Sequence, residues 1–229
     1  MIQPLNGPRV NMDTVLLSAW VRIRSGMREV LEAGCATGAV SLILAQRYGN
    51  IHVTGVDIQP ELVRMAGINA DNNNLSGRVK FIAGDIRDKK LLPSGKFDAL
   101  VMNPPYSSLM AGRESPDDSR TAARLEVSCT PDDVAELARR VLKSRGRLFT
   151  VFTSLRLDGF LSAMRYHRIM PKRLRPVYPA MYHNSGIFML ECVKDGGEGV
   201  SILPPLFVRD EDGNYTAEIL RAYEPDGYI

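Results

Sequence analysis

At 229 residues, with 45% hydrophobic and 24% charged side chains, the chain suits one large α/β domain with trimmings rather than two independent domains. The longest apolar runs, such as Leu148 to Val151, fall far short of a membrane span, and the N-terminus lacks the basic start and apolar stretch of a signal peptide, so a cytoplasmic protein without membrane contact is expected. Cys35, Cys129 and Cys192 are widely spaced and odd in number, which argues against a disulfide framework or a zinc site; reduced thiols and no metal are expected.

The first ten residues, with Gln3, Pro4, Gly7, Pro8 and Arg9, read as an irregular arm. Asn11 or Asp13 then caps a helix from about Thr14 to Arg22, whose apolar stripe is Val15, Leu16, Ala19, Trp20 and Ile23. Capping is the favoured role for both, though a cap beside a ligand site also offers polar groups to the ligand. A short strand, Glu29 to Ala33, runs into Gly34-Cys35-Ala36-Thr37-Gly38 and a helical pattern through Val40, Leu42, Ile43, Leu44 and Ala45. Strand, small-residue turn and helix form a nucleotide-type binding corner, because glycines let a ligand approach the backbone and the helix start offers free N–H groups. Glu32, just before the turn, is placed to face a cationic amino group.

The second strand, Ile51 to Val56, ends at Asp57, 19 residues after Gly38. A carboxylate at that tip suits the two hydroxyls of a ribose. A helix opens at Pro60 and runs to Asn69 or beyond; the strand Arg78 to Ala83 then delivers Gly84-Asp85-Ile86. Asp85 is open to two readings, meeting the exocyclic amine of an adenine with Ile86 against its ring, or capping Arg87 or Lys89.

The fourth strand, Phe97 to Met102, ends in Asn103-Pro104-Pro105-Tyr106. An exocyclic amine is a poor nucleophile because its lone pair is delocalised. An Asn oxygen and a carbonyl beside a proline can each accept one N–H and so favour a pyramidal nitrogen. The prolines stiffen the loop and Tyr106 offers a face on which a heterocycle stacks. Residues 107–130 are polar, carry Arg113, Arg120 and Arg124, and are expected to form a lid that contributes phosphate contacts, the alternative being a loop without a role.

Pro131-Asp132-Asp133 opens a helix through Leu142, ended by Ser144-Arg145-Gly146. A strand Arg147 to Thr153, a helix Leu157 to Tyr166 and strands Leu174 to Tyr178 and Ile187 to Val193 follow, the last antiparallel. Leu203-Pro204-Pro205-Leu206 and Asp210-Glu211-Asp212-Gly213 read as an extended segment and a tight turn rather than core. Residues 139–176 hold eleven Lys and Arg against the single acid Asp158, whereas the tail after Lys194 holds eight carboxylates against Arg209 and Arg221. Such segregation suits a phosphate-rich partner met by one face; the alternative is a set of solvated charges scattered over the fold.

With these residues in place, the chain resembles the class I S-adenosylmethionine-dependent methyltransferases over nearly its whole length. Glu32-Ala33-Gly34-Cys35-Ala36-Thr37-Gly38 matches an acid followed by G-x-G-x-G, with Ala36 in place of the middle glycine. Asn103 to Tyr106 is similar to the motif of enzymes acting on adenine N6, guanine N2 or glutamine N5. Met12-Asp13-Thr14-Val15-Leu16-Leu17, Pro171-Lys172-Arg173-Leu174-Arg175, Ile202 to Leu206 and Asp210 to Thr216 resemble the valine tRNA adenine-N6 methyltransferase family.

The resemblance implies a Rossmann-like α/β fold, with a largely parallel twisted sheet, one antiparallel C-terminal strand and helices on both faces. It implies an arm and helix over 1–25, a cofactor-binding domain over 26–194 and an acidic tail over 195–229 packed on it. S-adenosylmethionine is then expected at Asp13, Thr14, Glu32, Gly34, Cys35, Ala36, Gly38, Asp57, Ile58, Asp85, Ile86 and Asn103. Catalysis falls to Asn103, Pro104, Pro105 and Tyr106, and RNA, tRNA in particular, to Arg113, Arg120, Lys172, Arg173 and Arg175. Guanine N2 of rRNA, glutamine N5 of a protein and a non-catalytic RNA-binding module stand as alternatives. The glutamine reading ranks below RNA because only about 25 residues precede the first strand, too few for the helical substrate domain such enzymes carry.

Overall fold

In a computed structural model of the chain, residues 1–5, 9–104 and 129–229 are described. Helix α1 (Met12–Trp20) precedes β1 (Glu29–Ala33), α2 (Ala39–Arg47), β2 (His52–Asp57), α3 (Pro60–Asn72), β3 (Val79–Ala83) and β4 (Phe97–Met102). There follow α4 (Pro131–Val141), β5 (Leu142–Thr153), a 3-10 turn (Ser154–Arg156), α5 (Leu157–Tyr166), β6 (Ile169–Tyr178) and β7 (Ile187–Lys194). Two short strands, β8 (Ser201–Ile202) and β9 (Leu206–Phe207), and helix α6 (Ala217–Ala222) complete the described elements.

One sheet runs in the order β3-β2-β1-β4-β5-β7-β6-β8, with β9 also on β6. Strand β7 is antiparallel to both β5 and β6, and the other described strand pairings are parallel. The chain steps outward from β1 to β3 on one side, then returns to β4 on the other. The β1/β4 boundary is therefore the switch point, where open parallel sheets leave a crevice at their carboxyl ends.

The central strands are apolar on both faces because both are covered. Val30, Val53, Ala99, Val101 and Phe149 pack with Leu16, Trp20, Leu44, Ala70 and Ile219 from α1, α2, α3 and α6. On the other face Leu31, Leu100, Leu148 and Phe188 pack with Leu137 and Phe160 from α4 and α5. This is the α/β arrangement expected from the sequence.

Three boundaries differ from the sequence reading. Helix α1 begins two residues earlier and stops at Trp20, where Val21 turns extended; Asn11 is its cap, in a box with Thr14, and Asp13 lies in the first turn. Strand β5 starts at Leu142, directly after α4, because a register shift between Phe97 and Ala99 accommodates the Lys143 to Gly146 excursion. Strand β6 starts at Ile169 and carries both Pro171 and Pro176. It tolerates them because its outer side is paired only by two-residue strands, and its register to β7 shifts between Pro171 and Arg173. The tail also joins the molecule more closely than an extended segment does: Leu206 is buried in the core. Among the described residues, no helix is long and apolar enough to cross a membrane.

Candidate active site

A cavity of about 450 Å³ opens at the carboxyl ends of β1, β2 and β4, within the size range of small-molecule sites. The turn after β1 forms its floor. Gly38 has a left-handed backbone (φ 83°) and a Cβ there would lie 2.6 Å from the Phe81 ring, so only glycine fits. Gly34 is also left-handed, at φ 72°. Ala36, where the resemblance expects glycine, is left-handed as well (φ 45°), a conformation that costs an L-residue about 1–2 kcal/mol. Its N–H donates to Asp57 Oδ2 at 2.8 Å, which holds the turn in that shape.

Asp57 Oδ1 accepts from the Gln59 N–H at 3.0 Å, so both carboxylate oxygens are fixed by main chain at the rim of the cavity. Each retains lone pairs for a diol. Ile58, half exposed, and Ile86 both line the cavity and offer apolar surface to a heterocycle. Glu32 is almost fully buried. Its Oε2 accepts from the Ser41 N–H at 2.8 Å and from the Ser41 hydroxyl. Burial pushes this carboxyl up to about 8, while the Ser41 bonds pull the other way and the Asp57 charge adds to the rise.

Asp85 lines the same cavity, yet its carboxylate is engaged. It accepts from the Arg87 N–H at 2.9 Å and pairs with the Arg87 guanidinium at 2.6 Å, which holds it below the usual carboxylate range. Asp85 thus caps Arg87 while keeping its place on the cavity wall. Cys35 and Cys129 also face the cavity. Burial raises both thiols, that of Cys129 up to about 12, so neither supplies a thiolate near neutral pH.

Asn103 leaves β4 directly into this cavity, and Pro104 beside it is buried. Thus Thr14, Glu32, Gly34, Cys35, Ala36, Asp57, Ile58, Asp85, Ile86 and Asn103 converge, while Gly38 shapes the turn from beneath and Asp13 does not reach the wall. Pro105, Tyr106, Arg113 and Arg120, with residues 107–128 of the lid expected over 107–130, lie outside the described residues. Sequence reasoning missed Arg9, Val10, Gln59, Gly84, Met102 and the wall position of Cys129. The arm residues carry no periodic signal; only the Asn11 cap hinted that the chain turns there.

Lys172, Arg173 and Arg175 stand elsewhere, on β6, and none lines the cavity. Lys172 Nζ donates to the carbonyls of Gly197, Glu198 and Gly199. Arg173 pairs with the buried Glu191 at 2.9 Å and stacks over Trp20 at 4.3 Å. Arg175 is buried and forks onto Glu218 at 2.7 and 2.9 Å. All three are spent inside the molecule, against the expectation that they grip RNA.

The methyltransferase domain family matches residues 23–167, the stretch from before β1 to the end of α5. The chain belongs to this methyltransferase family. Among curated relatives, a tRNA1(Val) (adenine(37)-N6)-methyltransferase of Porphyromonas gingivalis is 31% identical over 228 residues, covering 95% of this chain and 88% of that one. One of the same description from Aliivibrio salmonicida is 31% identical, covering 71% and 68%. A crystal structure of a predicted O-methyltransferase from Agrobacterium tumefaciens superposes with a TM-score of 0.77 at 17% identity, over 95% of this chain and 98% of that one. The last likeness is one of fold. For a methyltransferase, the donor set suits S-adenosylmethionine: a diol acceptor, two apolar side chains, a buried acid and an open glycine turn share one cavity.

Proposed function

We propose that this methyltransferase transfers a methyl group from S-adenosylmethionine to the N6 amine of an adenine in tRNA. The single observation that carries the reading is the position of Asn103, at the tip of β4 on the wall that also holds Asp57, the glycine turn and Glu32. The activity for which the tRNA1(Val) relatives are named supports adenine N6 as the acceptor and tRNA as its carrier.

In this reading Asp57 takes the ribose hydroxyls, Ile58 and Ile86 flank the adenine of the cofactor, and Glu32 meets the cationic end of its amino acid. When bound, S-adenosylmethionine supplies an electrophilic methyl group. Asn103 Oδ1 and the Pro104 carbonyl accept the two N6 hydrogens of the acceptor, so its lone pair is localised and aimed at the cavity. Pro105 keeps that carbonyl in place and Tyr106 stacks on the acceptor base, which must leave its helix or loop to enter. Attack is direct, since the thiols lining the cavity stay protonated; the new N–C bond would replace the methyl's bond to sulfur, with S-adenosylhomocysteine as the leaving group and the excess N6 proton passing to water.

Incubation with methyl-labelled donor and separate tRNA, rRNA and protein fractions tests the reading. Label is expected in tRNA and, after digestion to nucleosides, in N6-methyladenosine. Label confined to guanosine or to protein would overturn it, as would donor binding without transfer to any fraction.

A further inference from the structure

The hairpin between β6 and β7 ends in a turn whose residues 181–184 are exposed. The His183 N–H bonds the Ala180 carbonyl at 3.4 Å, and the third residue, Tyr182, is left-handed with φ 66°. Turns of that shape take Gly or Asn, because a side chain crowds the backbone there. A tyrosine bears this strain here, and the residue is 96% exposed.

The turn is nonetheless fixed to the sheet. Ser185 Oγ lies within hydrogen-bond distance of the Val177 and Ile187 carbonyls, one of which takes its single hydrogen, and of Ser154 Oγ at 2.9 Å, and the Ser154 N–H bonds Gly186 O at 3.1 Å. These bonds tie the hairpin to the carboxyl end of β5. Asn103 leaves β4 at the same edge, two strand spacings or about 10 Å to the side, and the hairpin starts at the Thr153–Ile187 pair, three residues or about 10 Å beyond Thr150, the partner of Met102.

We propose that Tyr182 is a stacking post for an unpaired nucleotide a few positions from the adenine entering the Asn103 site. The inference rests on the RNA reading above. A strained, projecting ring held on the acceptor's edge presents a π face at little entropic cost, which is what single-stranded bases use. Its neighbours His183 and Asn184 are exposed and polar, while Met181 and Leu155 add exposed apolar surface beside it.

Steady-state kinetics on tRNA with Tyr182→Gly and Tyr182→Phe tests this. Tyr182→Gly removes the ring and the backbone strain together. It should raise the KM for tRNA about 10-fold, leave the cofactor KM unchanged, and melt no lower than the unaltered protein. Tyr182→Phe should keep KM within about 2-fold. An unchanged tRNA KM in Tyr182→Gly overturns the proposal. So does a Phe variant as damaged as the Gly variant, or a change of oligomeric state in Tyr182→Gly with tRNA kinetics intact, which would assign the turn to a second copy. Where the unaltered protein methylates RNA but the variants match it, only this inference falls; where it methylates no RNA, both fall.

Discussion

Glu32 is the residue whose proton the cofactor is expected to displace. Its carboxyl is buried against Ser41 and raised to about 8, so the folded chain binds this proton more tightly than the unfolded chain, whose ordinary value is 4.5. More protons in the folded state between those values means that stability from this group is complete below about pH 4.5 and lost as pH rises through about 8. Chemical denaturation of the unliganded protein should therefore show a downward slope from pH 5 to 8 that Glu32→Gln flattens, a difference on the order of a few kcal/mol. An identical slope in the variant would mean that the carboxyl titrates normally. A cationic ligand end beside Glu32 favours the charged form, so cofactor binding should release a proton below pH 8.

At the scale of elements, the described arm becomes part of the site through α3. Asn69 is fully buried and clasps the arm's backbone, accepting from the Ile2 N–H at 2.5 Å and donating to Ile2 O at 2.9 Å and to Thr37 O in the glycine turn at 3.0 Å. The clasp anchors the arm whose later residues Arg9, Val10 and Asn11 reach the cavity wall. Asn69→Ala leaves those groups unpaired and should weaken cofactor binding about 10-fold while speeding limited proteolysis within the first ten residues. Calorimetry with an unchanged cofactor Kd would separate the arm from the site. This contact also marks where sequence reasoning stopped. The four strand tips were legible because each joins an apolar run to a Gly, Asp or Asn at a turn. The arm was not, since its course depends on a side chain 67 residues away. The extent of β6 was hidden for a related reason: Pro171 and Pro176 argue against a strand unless its outer edge is known to be nearly free.

Across the whole molecule, the segregated charge found its partners at home. Arg139, Arg168, Arg165 and Arg175 pair with Asp195, Glu198 and Glu218 of the acidic tail, Arg147 and Arg173 with Glu191, and Lys143 with Asp98. Arg140 is spent on the carbonyls of Ile86 and Leu92. Composition showed the asymmetry, but opposite charges far apart in sequence can meet each other as readily as they meet a nucleic acid. If all eleven cations of 139–176 met phosphates, log Kd for tRNA would change with log salt by a slope of about 10. A slope below about 5 is expected, measured by filter binding between 50 and 200 mM salt. A slope near 10 would mean that the tail gives up these pairs to RNA.

In the proposed reaction the tip of β4 holds the acceptor amine against a cofactor bound by the tips of β1 and β2. Single-turnover methyl transfer by Asn103→Ala, at saturating cofactor and tRNA, tests it most directly. The rate should fall about 10²- to 10³-fold with the cofactor Kd within about 3-fold of the unaltered protein's. A near-normal rate, or a loss of activity explained by lost cofactor binding, would contradict it.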